Sequence, residues 1–326
     1  MLILREADLA RLLTPSDAVA AMTGLLEEQA AGQVQMPPRL TVDCDTGAGW
    51  LRIMPAVLNR SSVMGYKAMN VANGHGARYV VSLIDARDGS LLALLDADAL
   101  TVLRTAATVA IGTRVLAPPR IERMGLLGSG MQARGALEAL STVLEIPVVH
   151  VYSPSHEHRK EFAERMTDTL GLPVVDVDSP DEALRDANLV CSAIRAGSEP
   201  VITADMLEDG AHLSSLSSVR PEAREVDDQV WSKCAQVVVD DLDGVLESGD
   251  GASAVANGCF DFGNARELWE IDPRANLRRR DDELTMFKSV GAATQDLAVA
   301  AVAYRLARER GIGEEVKDFP SVRSPR

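Results

Sequence analysis

Apolar residues recur along this chain in two rhythms. Between Thr14 and Gly32 they keep helical spacing: Val19, Met22, Leu25 and Leu26 share one face. Thr14 reads as the N-cap, Pro15 suits the first turn, Asp17 lies near the positive helix end, and Gly32 is a stop. Short apolar runs near 40–42, 50–54, 63–69, 79–84 and 91–94 are predicted strands, separated by turn residues such as Asp88-Gly89. An alanine-rich segment at 98–117 is a predicted helix, ended by Pro118-Pro119, which cannot continue it. Those prolines mark the predicted domain boundary.

Beyond them the rhythm changes. Strand candidates stand at 123–127, 148–152, 174–177, 189–194, 212–216 and 237–239. Helical stretches at 132–144, 156–170, 180–186, 204–208 and 227–234 separate them. Such alternation calls for a parallel sheet covered on both faces. Six strands make a doubly wound domain. The polar, Arg-rich stretch from Phe260 to Glu283 reads as a loop. A last amphipathic helix at 291–311, with Leu297, Ala300, Ala301, Tyr304 and Ala307 on one side, is expected to pack on the N-terminal lobe. The expected fold class is α/β: a Rossmann-like, doubly wound parallel-sheet nucleotide domain at 119–288. An α+β domain at 1–118 precedes it, and the returning helix occupies 289–326.

Composition narrows the function classes. With 326 residues, the chain can bury a large core. Its 33 basic and 48 acidic residues leave a net charge of −15, which argues against a nucleic-acid or anionic-membrane surface. No basic-then-apolar leader opens the chain, and no uninterrupted apolar run is expected to span a bilayer. Cys44, Cys191, Cys234 and Cys259 lack paired spacing, so neither zinc site nor disulfide framework is expected, and reduced thiols suit a cytoplasmic location. There is no Gly-x-Ser-x-Gly nucleophile turn.

The chemistry begins at Leu126-Leu127-Gly128-Ser129-Gly130-Met131-Gln132-Ala133, where an apolar run meets a helix start. The first glycine permits the tight turn, the second lets backbone approach a pyrophosphate, and small Ala133 keeps helix and sheet close. Amide N–H groups at the helix start then face the anion. About 20 residues further on, where an acid often binds the adenine ribose, stand Ser153, Pro154, Ser155 and His156, with Arg159 nearby. Absence of a carboxylate there favours NADP(H) over NAD(H), with Ser153, Ser155, His156 and Arg159 as donors to a 2′-phosphate. The alternative places Arg159 on the solvated face of the next helix.

Four cations lie among apolar or small residues in the first lobe: Arg39, Arg52, Lys67 and Arg104. A charge so placed is costly unless paired. Each has either a structural salt bridge or an acidic ligand, and arginine grips a carboxylate bidentately.

These segments resemble the ornithine cyclodeaminase and mu-crystallin family over nearly the whole chain. The likeness rests on Arg39, Met54-Pro55-Ala56, Gly65-Tyr66-Lys67, Leu103-Arg104-Thr105-Ala106-Ala107 and the Gly128–Ala133 turn. Glu247-Ser248-Gly249-Asp250, Phe287-Lys288-Ser289-Val290-Gly291 and Gln295-Asp296-Leu297 complete it. The resemblance implies an N-terminal substrate lobe that also forms a homodimer, a nucleotide domain and a returning helix. It implies that Arg39, Lys67 and Arg104 hold a substrate α-carboxylate beneath the nicotinamide, with Lys67 moving a proton to or from the substrate nitrogen. It also places Arg104, Thr105, Gly128, Ser129, Gly130, Met131, Gln132 and Val219 against the cofactor.

Two departures bear on the substrate. Cyclodeaminases of this family carry a catalytic acid before the proline of a loop; in Leu216-Ser217-Ser218-Val219-Arg220-Pro221, Val219 takes its place and cannot move a proton. They also carry a glutamate for a distal ammonium where this chain has Arg52, which suits a neutral or anionic substrate end. The expected activity is hydride transfer between a nicotinamide and the Cα of a small α-imino or α-amino carboxylate. An imine reductase or amino-acid dehydrogenase fits. The alternatives are a cyclodeaminase with catalytic NAD+, releasing ammonia, and a non-catalytic NADP(H)-binding crystallin-like protein. Asp240, Asp241 and Asp243 read as a solvated acidic loop or a site edge, His75 as an exposed loop histidine or a proton donor, and Glu247 and Asp250 carry no assigned chemistry.

Overall fold

The computed structural model describes residues 1–217 and 219–321, so Ser218 in the Val219 loop lies outside the described residues. The chain forms two compact units: Met1–Arg104 with Ala292–Arg326, and Thr105–Gly291. The first division falls inside the helix Asp98–Leu116, not at Pro118-Pro119. The prolines end that helix, but the helix itself runs unbroken through residue 104.

The first unit is built on strands β1 (Leu2–Leu4), β2 (Val34–Gln35), β3 (Leu40–Asp43), β4 (Gly49–Leu58), β5 (Val63–Ala72), β6 (Gly76–Asp85) and β7 (Leu91–Asp96). β4 to β7 form an antiparallel meander, β1 adds in parallel to β7, and Glu314–Glu315 pairs with β1. The long strands outrun their apolar centres because period-2 pairing continues into polar ends. Pro55 sits in β4 opposite a gap, since β3 pairs residues 50–53 and β2 pairs Val57 and Leu58. A residue without an N–H is tolerated there.

Residues directly paired across strands share a face, and alternate residues along a strand share it too. One row is therefore Met54, Lys67 and Val81; the next on the same face is Thr41, Arg52, Met69 and Tyr79. The helix Ala293–Arg310 packs over β4, β5 and β6 on this side, where Leu297 approaches Gly65. Its buried residues include Leu297, Val299, Ala300, Ala303, Leu306 and Ala307, so Ala301 and Tyr304 lie off the buried stripe. The opposite sheet face leaves Leu40, Val42, Leu51, Tyr66 and Val80 exposed.

The second unit carries β8 (Met124–Leu127), β9 (Val149–Tyr152), β10 (Val174–Asp176), β11 (Leu189–Ser192), β12 (His212–Ser215), β13 (Gln236–Val239), β14 (Arg266–Glu267) and β15 (Thr285–Lys288). They form one parallel sheet in the order β10-β9-β8-β11-β12-β15-β13-β14. All six predicted strands are present, but the sheet has eight. β15 was missed: only four residues long and ending in lysine, it follows a charged stretch and has no periodicity to betray it. Yet it lies between β12 and β13 and is buried throughout. Below it, His212 bonds Thr285 Oγ1 at 2.9 Å and Ser214 Oγ at 3.0 Å, and Ser214 Oγ meets Thr113 Oγ1 at 2.7 Å. Burial lowers the His212 pKa to about 3, so the imidazole is neutral.

The helix Asp98–Leu116 is by length and composition long and apolar enough to cross a membrane, although Asp98, Arg104 and Arg114 interrupt its apolar run. However, 72% of that window is buried in protein, the pattern of a core helix.

Candidate functional site

The pairings align Tyr152, Leu127, Ser192, Ser215, Lys288 and Val239 in one row along the carboxyl edge of the parallel sheet. Ligands of doubly wound sheets bind beyond this edge, near where strand order reverses, here beside β8. The glycine turn leaves from Leu127. Gly128 has φ +108°, and a Cβ there would lie 2.5 Å from the Ala193 carbonyl oxygen. Gly130 is the extended N-cap of the helix Met131–Leu140, and a Cβ there would meet nothing within 4 Å. One glycine thus serves the turn, and the other keeps open the approach to the helix amides. The residues present fit a dinucleotide pyrophosphate.

Around the turn, Ser129 and Ser153 share a hydroxyl–hydroxyl bond of 2.8 Å. Ser155 caps the helix His156–Leu170, and the exposed His156 stands 3.8 Å from Asp176. Met131 is exposed, while Gln132 Oε1 is buried without a hydrogen-bond partner. For Arg159 the alternative of a solvated helix face does not hold. Its buried guanidinium donates to the Ser153 carbonyl at 3.2 Å and forms an ion pair with Asp178. It supports the Ser153 backbone and is not on a solvated face.

A second cluster lies wholly within the first unit. Lys67, 2% exposed, donates to Thr101 Oγ1 at 2.7 Å and to Asp296 Oδ1 at 3.1 Å. Arg104 donates from Nε to the same Asp296 oxygen at 3.2 Å and from Nη1 to Gln295 Oε1 at 2.8 Å. The other Asp296 oxygen, Oδ2, is buried without a hydrogen-bond partner. Burial lowers the Lys67 pKa to about 8, with Arg104 pushing the same way and Asp296 opposing. The ammonium also lies 5.1 Å from the centre of the Tyr79 ring. Two cations therefore share one carboxylate oxygen, with the more distant Asp98 adding a weaker opposing field.

Of the predicted substrate residues, Lys67 and Arg104 are brought together. Arg52 is on the same sheet face one row away, and half-buried Arg39 immediately precedes β3. Thr105 is buried in the long helix, and Val219 is exposed. Sequence reasoning named Asp296 only within the Gln295-Asp296-Leu297 motif, with no role, and passed over Thr101 and Tyr79. The available signal for Asp296 was an acid at the first turn of an amphipathic helix, on the same side as Leu297 and Ala300.

Asp240 proves not to belong to a solvated loop. It is buried and accepts from Ser289 Oγ at 2.7 Å and from the Val290 and Gly291 amides at 2.9 Å each. Asp250 also gains a role. Fully buried Lys288 donates to Asp250 at 2.8 Å, Ser215 Oγ at 2.7 Å, Glu225 at 3.2 Å and the Ser217 carbonyl at 2.8 Å. Glu225 accepts from the Ser217 amide at 3.0 Å. Both backbone groups of Ser217 are thus held, two residues before Val219. Lys288→Met would leave buried Glu225 without its cation and buried Asp250 with the 3.5 Å pair to Arg224. It is expected to lower stability by about 3–5 kcal/mol in urea unfolding, and a change under about 1 kcal/mol would contradict this account of the network.

A parallel sheet with a glycine turn at its carboxyl edge, joined in one chain to a buried Lys–Arg–Asp cluster, defines a nicotinamide-dependent oxidoreductase. Residues 2–311 match the ornithine cyclodeaminase/mu-crystallin family, and the chain belongs to it. The mouse (Mus musculus) ketimine reductase mu-crystallin is 31% identical over 84% of this chain and 85% of its own. The structure of Thermococcus litoralis Delta(1)-pyrroline-2-carboxylate reductase, in complex with NADH and L-proline, is 31% identical. It covers 97% of this chain and 100% of its own, with a TM-score of 0.91. An archaeal alanine dehydrogenase dimer with bound NAD is 29% identical, over 98% of this chain and 99% of its own, with a TM-score of 0.90.

Proposed function

We propose that this protein reduces the C=N bond of a small α-imino carboxylate, or runs the reverse oxidation of the α-amino acid. The observation that carries the reading is the pair of buried cations, Lys67 and Arg104, sharing a single oxygen of Asp296. A substrate carboxylate is the partner such an arrangement favours. The dihydronicotinamide, when bound, supplies the hydride that the imine carbon accepts. Lys67 would supply the proton that the nitrogen takes up, so that C=N becomes CH–NH. Fixed cations orient the carboxylate, and with it the adjacent carbon. Val219, exposed and without a titratable group, does not support the cyclodeaminase alternative.

For the cofactor we favour NADP(H). The end of β9 presents Ser153, Ser155 and His156, and the first carboxylate, Glu157, comes only in the first turn of the capped helix. The exposed apolar face of the first sheet supports a homodimer, and the archaeal alanine dehydrogenase is a dimer. All four cysteines are free, which supports a reducing, cytoplasmic setting.

The pH profile tests the mechanism. Lys67 is depressed to about 8, so it is protonated below that value and loses its proton as pH rises through it. For imine reduction, kcat/KM is expected to be level below about pH 8 and to fall about tenfold per unit above it. Amino-acid oxidation is expected to show the opposite limb. Asp296 raises the Lys67 pKa, so Asp296→Asn is expected to move both limbs to lower pH. A profile flat across this range in both directions would remove Lys67 as the proton carrier.

A further inference from the structure

Given that function, two motifs of unassigned chemistry, Glu247-Ser248-Gly249-Asp250 and Phe287-Lys288-Ser289-Val290-Gly291, meet at one place on the sheet edge. Away from β9, the parallel sheet continues from β8 through β11 to β12. A dinucleotide across this edge, adenosine half over β9, directs its nicotinamide half toward β11 and β12. Exposed Val219 stands on the chain that leaves β12 there. Ser217 Oγ donates to the Ile194 carbonyl, joining this segment to the one that leaves β11.

The segment is fastened on both sides of Val219. Before it, Glu225 Oε2 gathers three donors: Ser215 Oγ, the Ser217 amide and Lys288 Nζ. Lys288 also holds the Ser217 carbonyl. After it, the Gly249 amide donates to the Arg220 carbonyl at 3.1 Å. Asp250 Oδ1 accepts from the Glu225 and Val226 amides at 2.8 and 3.2 Å, while its Oδ2 meets Lys288. A Cβ at Gly249 would lie 2.2 Å from the Ala223 carbonyl oxygen and 2.8 Å from that of Pro221. Glycine therefore lets the start of the helix Gly249–Ala256 close on this segment. Lys288, Glu225 and Asp250 are fully buried. Desolvating such charges roughly offsets their attraction, so stability alone does not account for the cluster. What it adds is a fixed backbone around Val219.

We propose that Lys288, Glu225 and Asp250 are positioning residues for hydride transfer. They hold Val219 as one wall of the nicotinamide pocket, which keeps the ring's reacting carbon against the imine. A displacement of about 1 Å at the reacting atoms costs about 100-fold in rate.

Two variants disturb the segment by different means. Glu225→Gln removes the charge that gathers Ser217 and Lys288, and Gly249→Ala pushes the Pro221 and Ala223 carbonyls without altering any charge. Each is expected to lower kcat for reduction of Delta(1)-pyrroline-2-carboxylate by about 10–100-fold. The primary deuterium isotope effect from C4-deuterated dihydronicotinamide should rise. Binding of the adenosine half alone, as 2′,5′-ADP or ADP, should stay within about twofold of wild type. In a Val219→Ala background the kcat loss from either variant should shrink to about threefold or less, because both act through that side chain. If Glu225→Gln does not fold, Gly249→Ala carries the test. Wild-type kcat in a folded variant overturns the assignment, as does weakening of adenosine-half binding in step with kcat. Full additivity with Val219→Ala overturns it too. No turnover of any imine by the wild type would instead remove the proposed function, and this assignment with it.

Discussion

Replacing Lys67 with methionine is expected to cut imine reduction by about 10²–10⁴-fold, the range associated with a positioned proton donor. The effect should reach kcat as well as KM, because the ammonium both anchors the carboxylate and delivers the proton. Methionine has similar length and suits the buried site, and Arg104 remains to neutralise Asp296. The fold should therefore persist, and dinucleotide binding, followed by dihydronicotinamide fluorescence, should stay close to wild type. Lys67→Arg separates the two duties: it keeps a cation but cannot release a proton near neutral pH. If Lys67→Met retained activity within tenfold of wild type, Lys67 would not carry the chemistry.

Leucine at Gly130 should abolish tight dinucleotide binding while leaving the unit folded. Gly130 has φ −87° and ψ −173°, a conformation open to any residue, and its Cβ position is empty. Stability should fall by no more than about 1 kcal/mol, the cost of a poorer N-cap. The side chain would then stand where a pyrophosphate approaches the helix amides, raising the dinucleotide Kd by at least about 100-fold. Gly128→Leu should behave differently. At φ +108° and with Ala193 O 2.5 Å from the added Cβ, it is expected to lose at least about 2 kcal/mol of stability. Calorimetry and titration with NADPH check both. Unimpaired binding by Gly130→Leu would remove this turn from the cofactor site.

The two glycines show how much of the cofactor site was readable from one dimension. Strand, turn and helix are contiguous in sequence, so spacing alone specifies them. The Lys67 cluster is different. Its cations could be singled out as charges among apolar residues, but Asp296 lies 229 positions from Lys67, and no local pattern joins them. Arg159 illustrates a different limit. A basic residue near a nucleotide-binding turn reads equally well as a solvated side chain, and the fold buries it against the Ser153 carbonyl beside Asp178. β15 escaped notice because its burial comes from neighbours on both sides, not from its own pattern.

Local pattern sufficed for the α/β class, six of the eight strands in the nucleotide unit, the glycine turn and the list of suspicious cations. All of these depend on residues close in sequence or on the cost of isolated charge. Tertiary structure alone decided which acid partners Lys67 and Arg104, which sheet face Arg52 occupies, and how Lys288 holds the backbone before Val219. Those pairings depend on strand register and helix packing across long sequence separations, where desolvated charges select partners by position in space.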